Sequence, residues 1–269
     1  TDRVRCFLAR RADAVVFYAE ANRKRFIKMG LPSRKMFIAR NSIDLTPIDL
    51  AVSKWPIDKL NEFRREKNLQ DTHVILTVGA LVERKKLEVL LQSTKQLLLE
   101  HPRIKLIIIG DGPQKKSLQK NTELLGIRKY VDFLGKITEE EKLAPWFLLS
   151  DMVVAPGQVG LLATQTHAYG RALVTCDNPE IQGPEIEILI PNRTGVLFQH
   201  NNATSLTEVM GSLLLNSKRR LMLGDAARVR AHEEYGIPNM VDGFLQAISY
   251  VTGRPLQMFS TDAVVDARR

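Results

Sequence analysis

The sequence predicts an α/β fold: a three-layer, mostly parallel sheet with helices on both faces, accompanied by one separate βαβ unit. Three observations predict it. From His73 onward, short apolar runs alternate with amphipathic stretches, the pattern of successive βα units. Several of those runs end in glycine, as a turn from strand into helix often requires. The 269 residues, 44% of them apolar, can build a substantial core.

Taken in order, Ala14–Phe17 reads as a strand, Ala21–Met29 as a helix stopped by Gly30, and Met36–Ala39 as a second strand closed by Asn41-Ser42. Alone, this βαβ unit would leave its sheet mostly unpaired, so it reads as the closing piece of a domain. Residues 45–70, with Pro47, Pro56 and a charged helix at Leu60–Lys67, read as an interdomain connection. His73–Val78 is a buried strand, and Leu87, Leu90, Leu91, Thr94, Leu97 and Leu98 then recur at helical spacing. Lys105–Ile109 is the next strand, closed by the Gly110-Asp111-Gly112-Pro113 turn before a lysine-rich helix reaching about Gly126. Tyr130–Leu134 is a third strand. A helix follows from Thr138, whose hydroxyl is expected to cap the Glu139-Glu140-Glu141 turn. Met152–Ala155 and Ala172–Thr175 flank a helix from about Gly160 to Tyr169, and Thr194–Phe198 makes the sixth strand. Leu206–Leu214 and Leu221–Val229 mark two helices, Pro238 to about Tyr250 a last amphipathic one, and the residues after Gly253 have no periodicity and read as a mobile tail.

Charge narrows the classes of partner. Residues 1–70 carry 16 basic and 8 acidic residues, +8 of the formal +9, so the rest of the chain is nearly neutral. A basic segment of this kind suits an anionic membrane surface or a phosphorylated substrate. Nucleic acid is not expected as a partner, because no basic cluster is interleaved with aromatics and no zinc-finger or helix-turn-helix spacing occurs. Cys6 and Cys176 share no metal-ligand or redox spacing, which predicts reduced thiols and a cytoplasmic protein. Apolar stretches such as Ala14–Ala19 and Leu106–Ile109 fall far short of the roughly 18 residues of a membrane span. The chain opens at Thr1 without a signal-peptide pattern, and processing or truncation is expected to have removed what preceded it.

Two stretches can carry chemistry. Ala155-Pro156-Gly157-Gln158-Val159-Gly160-Leu161 leaves a strand and opens a helix, where backbone N–H groups and the helix dipole favour a phosphate; an ordinary tight turn is the competing reading. Val78-Gly79-Ala80-Leu81-Val82-Glu83-Arg84-Lys85-Lys86 puts a cationic cluster past the carboxyl end of a strand, the edge at which open α/β sheets bind ligands, so Arg84 or Lys85 could neutralise a diphosphate. The turn containing Gly112 lies at the same edge but lacks the third glycine of the dinucleotide fingerprint, and no Walker lysine motif occurs. Oxidoreductase and ATPase readings lose their support. Without an Asp-x-Asp pair, and with Glu185-Ile186-Glu187 read as acids at a helix start, no metal and no cofactor are expected. His167 reads as a packed helix residue rather than a general base.

Together, these residues resemble glycosyltransferase family 4, whose retaining enzymes adopt the GT-B fold of two facing Rossmann-like domains. The resemblance runs from about residue 8 to 250. Arg11-Ala12-Asp13-Ala14-Val15-Val16 and Asn41-Ser42-Ile43-Asp44 look like the end of the acceptor domain, and Val78–Lys86, Ile109–Pro113, Val131–Ile137, Ser150–Leu161 and Ala168–Val174 look like the donor domain. The resemblance therefore implies a remnant of the amino-terminal acceptor domain at 1–46 and an interdomain linker at 47–70. It further implies a donor domain at 71–236, a carboxyl-terminal helix at 237–253 crossing back to the first domain, and a tail at 254–269.

By that resemblance a nucleotide-diphosphate sugar is the donor substrate and a saccharide or lipid-linked molecule the acceptor, in surface polysaccharide or glycolipid assembly at the inner membrane face. Lys85 matches the lysine on the donor diphosphate, with Arg84 a substitute for the arginine usually found where Ala80 stands. Gly79, Gly112, Gly157, Val159, Gly160 and Leu161 belong to the implied donor site, and the base is expected against the main chain near Lys136 and Ile137. The family's two glutamates align with Gly157 and Gln165. Gln165 can still hydrogen-bond ribose hydroxyls, Gly157 supplies no side chain, and Glu185 is a candidate for donor-sugar contact. Those two replacements keep a second reading open, a non-catalytic sugar-nucleotide-binding or assembly subunit; a third is another GT-B activity such as epimerisation.

Overall fold

The computed structural model describes residues 2–256. In chain order the elements are α1 (Asp2–Arg11), β1 (Val15–Phe17), α2 (Glu20–Lys28), β2 (Met36–Ile38), α3 (Thr46–Ser53), α4 (Ile57–Glu66), β3 (His73–Val78) and α5 (Leu87–Leu97). They continue with β4 (Ile104–Ile109), α6 (Lys115–Leu124), β5 (Val131–Gly135), α7 (Glu140–Leu149), β6 (Met152–Ala155), α8 (Leu162–Ala168), β7 (Leu173–Cys176) and β8 (Gly195–Phe198). Helices α9 (Ala203–Leu214), α10 (Ser217–Glu234) and α11 (Ile237–Thr252) close the described chain. Residues from 257 onward, most of the expected tail, lie outside the described residues.

Two compact units form, Thr1–Ser42 with Tyr235–Arg269, and Ile43–Glu234. In the smaller, β1 and β2 pair in parallel with Val15 opposite Met36, over a core of Cys6, Ala9, Phe17, Phe26, Leu31 and Met36. Helix α11 belongs to this unit. It lies so close to β2 that a Cβ on Gly243 would come within 2.0 Å of the Ile38 carbonyl oxygen, so only glycine permits the contact.

The larger unit holds a six-stranded, all-parallel sheet in the order β5-β4-β3-β6-β7-β8. Counted from its own first strand this is 3-2-1-4-5-6, the doubly wound Rossmann order, so the α/β class expected from the sequence is the fold observed. Its central strands are apolar on both faces because both faces are covered: Val74, Ile75, Leu76, Leu106, Ile107, Val153 and Val174 are buried. Helices α5, α6 and α9 pack together, while α7 and α8 contact α3, and α10 contacts α8. The helical stripe Leu87, Leu90, Leu91, Thr94 and Leu97 is the buried face of α5.

Residues 47–70, expected as a connection, fold as α3 and α4 within the larger unit. The reason lies in α7. Pro145 inside this helix has no N–H to give the Glu141 carbonyl four residues back, and the Trp55 indole N–H donates to that carbonyl at 3.0 Å. Lys54 pairs with the Glu141 carboxylate at 2.8 Å, and Phe63 meets Trp146 edge-on at 5.1 Å between ring centroids. The cap expected from Thr138 is not formed. The helix starts one residue later than that cap requires, with Glu139 at the N-cap position, no side-chain cap, and Glu140 and Glu141 in the first turn, where the dipole favours carboxylates.

Candidate functional site

Strand pairing at the centre of the larger sheet opens a cleft. β3 and β4 stay paired to the end, Val78 opposite Ile109, whereas β3 and β6 pair only at Ile75–Met152 and Leu76–Val153. The two strands part at the point where the winding of the sheet reverses, which is where ligands bind in open α/β folds. A cleft of about 360 Å³ lies at their carboxyl ends, walled by Gly79, Lys85, Glu140, Val159, Leu161 and Gln165, with Ile43, Asp44, Pro47 and Ile48 on the side leading into α3.

Two loops interlock there. The loop after β6 carries Gly157 against the backbone of the loop after β3: a Cβ at 157 would come within 2.1 Å of the Arg84 carbonyl oxygen. The Gln158 N–H donates to that same oxygen at 3.0 Å. Lys85, half-buried, donates from Nζ to the carbonyls of Gln158 at 2.7 Å and Val159 at 3.1 Å, so one of the three ammonium N–H bonds remains for a ligand. Burial lowers the Lys85 pKa below the usual lysine range, the neighbouring Arg84 guanidinium adds to the lowering, and Glu185 opposes it.

Backbone geometry explains the glycines. Gly110 has φ +150°, and a Cβ there would overlap the Gly79 carbonyl oxygen at 1.8 Å. Gly112 packs on the Leu81 backbone, where a Cβ would come within 2.5 Å. Gly160, at φ +61°, makes the left-handed turn into α8 beside the Lys85 ammonium.

The structure therefore gathers Gly79, Lys85, Val159, Leu161 and Gln165 around one cleft, with Arg84, Gly112, Gly157, Gly160 and Glu185 in the loops that frame it. Lys136 and Ile137 follow the edge strand β5 and are not among the residues walling the cleft; Gly135, just before them, accepts the Gly110 N–H at 2.8 Å. His167 is fully buried in α8, donates from Nδ1 to the Ala163 carbonyl at 2.9 Å, and is pushed down by burial to a pKa of about 4.

Two residues escaped the sequence reading. Gln182 accepts the Val159 N–H at 2.9 Å and donates to the Gly157 carbonyl at 3.1 Å, clamping the β6 loop from outside. Glu140 puts a carboxylate in the cleft wall, taking hydrogen bonds from Gln165 and Tyr169. A lone Gln after a turn carries no sequence signal, and Glu140 is hidden in a run of three acids.

The family model described as glycosyl transferases group 1 matches residues 58–230. A curated relative, the GDP-mannose-dependent alpha-(1-6)-phosphatidylinositol monomannoside mannosyltransferase of Mycolicibacterium smegmatis, is 24% identical over 225 residues, which is 81% of this chain and 57% of the relative. The chain spans about half the length of the curated relatives it matches. Among solved structures, Anabaena HepE in complex with UDP superposes with a TM-score of 0.74 at 18% identity, covering 92% of this chain and 66% of that one. The carboxyl-terminal domain of a group 1 glycosyl transferase from Francisella tularensis superposes with a TM-score of 0.59 at 19% identity, over 72% of this chain and 99% of that one.

Proposed function

This chain belongs to the group 1 glycosyl transferases, and from that premise we propose that its larger unit holds the nucleotide-diphosphate sugar donor of a retaining glycosyltransferase of family 4. The observation that carries the reading is Lys85, whose ammonium is pinned at the carboxyl edge of the sheet's switch point with one N–H left for a ligand. A cation there, with the turn into α8 beside it, meets the charge that builds on a departing diphosphate, and stabilisation of the leaving group is the largest contribution such a site can make. Arg84 adds positive charge, and Glu185, close enough to act on Lys85, is the proposed contact to the donor sugar. The base is proposed to lie toward Lys136 and Ile137.

The donor nucleotide is proposed to be uridine or guanosine diphosphate, in keeping with the UDP held by HepE and the GDP-mannose in the relative's name. The acceptor is proposed to be a saccharide or a lipid-linked molecule in polysaccharide or glycolipid assembly, reached at the cytoplasmic membrane face. Residues 1–46 are proposed as part of the acceptor side and residues 71–236 as the donor side, with 237–253 returning to the former. Among the described residues no helix is long and apolar enough to cross a membrane. Contact with anionic lipid is proposed on the basic charge of the first quarter of the chain.

Gly157 favours a second reading, donor binding without transfer. Where the family presents a carboxylate, the Arg84 backbone leaves no room for any side chain. Calorimetric titration with UDP, GDP, UDP-glucose and GDP-mannose tests the donor site, and binding to none of them overturns it. Release of UDP or GDP in the presence of acceptor glycans separates the readings: turnover supports the transferase, and binding without turnover supports the second.

A further inference from the structure

Glu140 holds Gln165 in a way that changes what a neutral amide can do at the cleft. Gln165 Nε2 lies 3.1 Å and 3.5 Å from the two Glu140 carboxylate oxygens. A carboxylate only accepts, so it takes the NH₂ side of the amide and fixes which end of the side chain faces away. Gln165 Oε1 then has no hydrogen-bond partner among the described residues, on a side chain that walls the cleft. The carboxylate is itself held in place. The Tyr169 hydroxyl donates to Glu140 Oε1 at 2.6 Å, and the Tyr169 ring is buried and stacked on Phe147 with centroids 4.4 Å apart and planes 9° from parallel. Burial and the adjacent carboxylate push the Tyr169 hydroxyl pKa upward, so it stays a donor. The first turn of α7 also favours a carboxylate at position 140.

We infer that Glu140 is a positioning residue: through Gln165 it presents a fixed, polarised carbonyl acceptor that selects a ligand hydroxyl in the donor cleft. The inference rests on the donor-site reading. An amide whose NH₂ end is held by a carboxylate keeps its carbonyl turned away from that carboxylate as an acceptor, and the bond to Glu140 strengthens the acceptance. The hydroxyl belongs either to the ribose or to the transferred sugar, both of which offer O–H donors.

The test compares binding of UDP and GDP with their 2′,3′-dideoxyribose forms, and of UDP-glucose and GDP-mannose with the bare diphosphates. It uses the unaltered chain, Glu140→Gln, Gln165→Glu and the combined exchange. In the unaltered chain, loss of the recognised hydroxyl is expected to weaken binding roughly fivefold to tenfold. In Glu140→Gln, where both amides can turn over, that ratio should fall below about twofold at an unchanged unfolding temperature. A ratio that collapses for the dideoxy pair assigns the ribose, and one that collapses for the sugar pair assigns the sugar; either supports the inference. Gln165→Glu puts two carboxylates in contact and should lose the ratio or lower the unfolding temperature, while the exchange Glu140→Gln with Gln165→Glu should restore both. Nucleotide binding whose ratios are untouched by Glu140→Gln overturns this inference alone. Absence of nucleotide binding by the unaltered chain overturns the donor site and this inference together.

Discussion

At the scale of single residues, ionisation states are set by packing. His167 sits 0% exposed in α8, and burial holds its pKa at about 4, below the ordinary 6.5. Between those values the unfolded chain binds a proton at this ring and the folded chain does not, so stability falls as pH falls from 6.5 toward 4. The loss is on the order of 3 kcal/mol. Chemical denaturation of the unaltered chain and of His167→Gln across that window should give a flatter profile for the variant, and parallel profiles would contradict the assignment. Lys85 is shifted in the same direction, with a different consequence. Its lowered pKa means that diphosphate affinity should decline as pH rises, earlier than for a free lysine, because the deprotonated amine no longer attracts the anion. Lys85 was legible in the sequence because a cationic cluster followed a strand and its glycine. Glu140 and Gln182 were not, because their roles come from partners 25 and 23 residues away.

Among the elements, the two loops over the sheet edge behave as one piece. Gly157 is where they touch, and its bareness is steric: no side chain fits against Arg84. Gly157→Glu, which writes in the carboxylate that the resembling family carries there, should therefore lower stability by about 1–3 kcal/mol rather than raise donor affinity. Thermal unfolding and nucleotide titration check this, and a variant of unchanged stability that binds the sugar nucleotide more tightly would contradict it. The strand-to-helix punctuation that made this loop readable, Pro156-Gly157 and Gly160, is local, as were the apolar runs of β3, β4, β6 and β7. Helix α3 was not readable in the same way. Its eight residues start at Thr46-Pro47 and owe their place to α7, where Pro145 frees a carbonyl for Trp55.

At the scale of the whole molecule, charge and length acquire separate meanings. The +8 of residues 1–70 lies entirely in residues 1–42 of the smaller unit, with 11 basic and 3 acidic residues, because residues 43–70, which include α3 and α4, balance five basic with five acidic residues; the remaining +1 belongs to residues 71–269. Sedimentation with vesicles of phosphatidylglycerol and phosphatidylcholine should show binding that weakens from low to high salt; salt-independent binding, or none, would count against the proposed membrane contact. The parallel three-layer sheet was recoverable from alternating βα signals, since strands joined by helices pair in parallel, whereas the strand order was not. Nor was the parting of β3 and β6 that opens the cleft, because pairing register depends on contacts between distant strands. The central claim is that this cleft holds a nucleoside diphosphate through Lys85, and calorimetric titration of UDP and GDP into the unaltered chain and into Lys85→Ala measures it most directly. The account predicts binding of at least one of the two by the unaltered chain and a loss of roughly 10- to 100-fold in the variant, the worth of a charge-assisted hydrogen bond; equal affinity in both chains, or no binding in either, would contradict it.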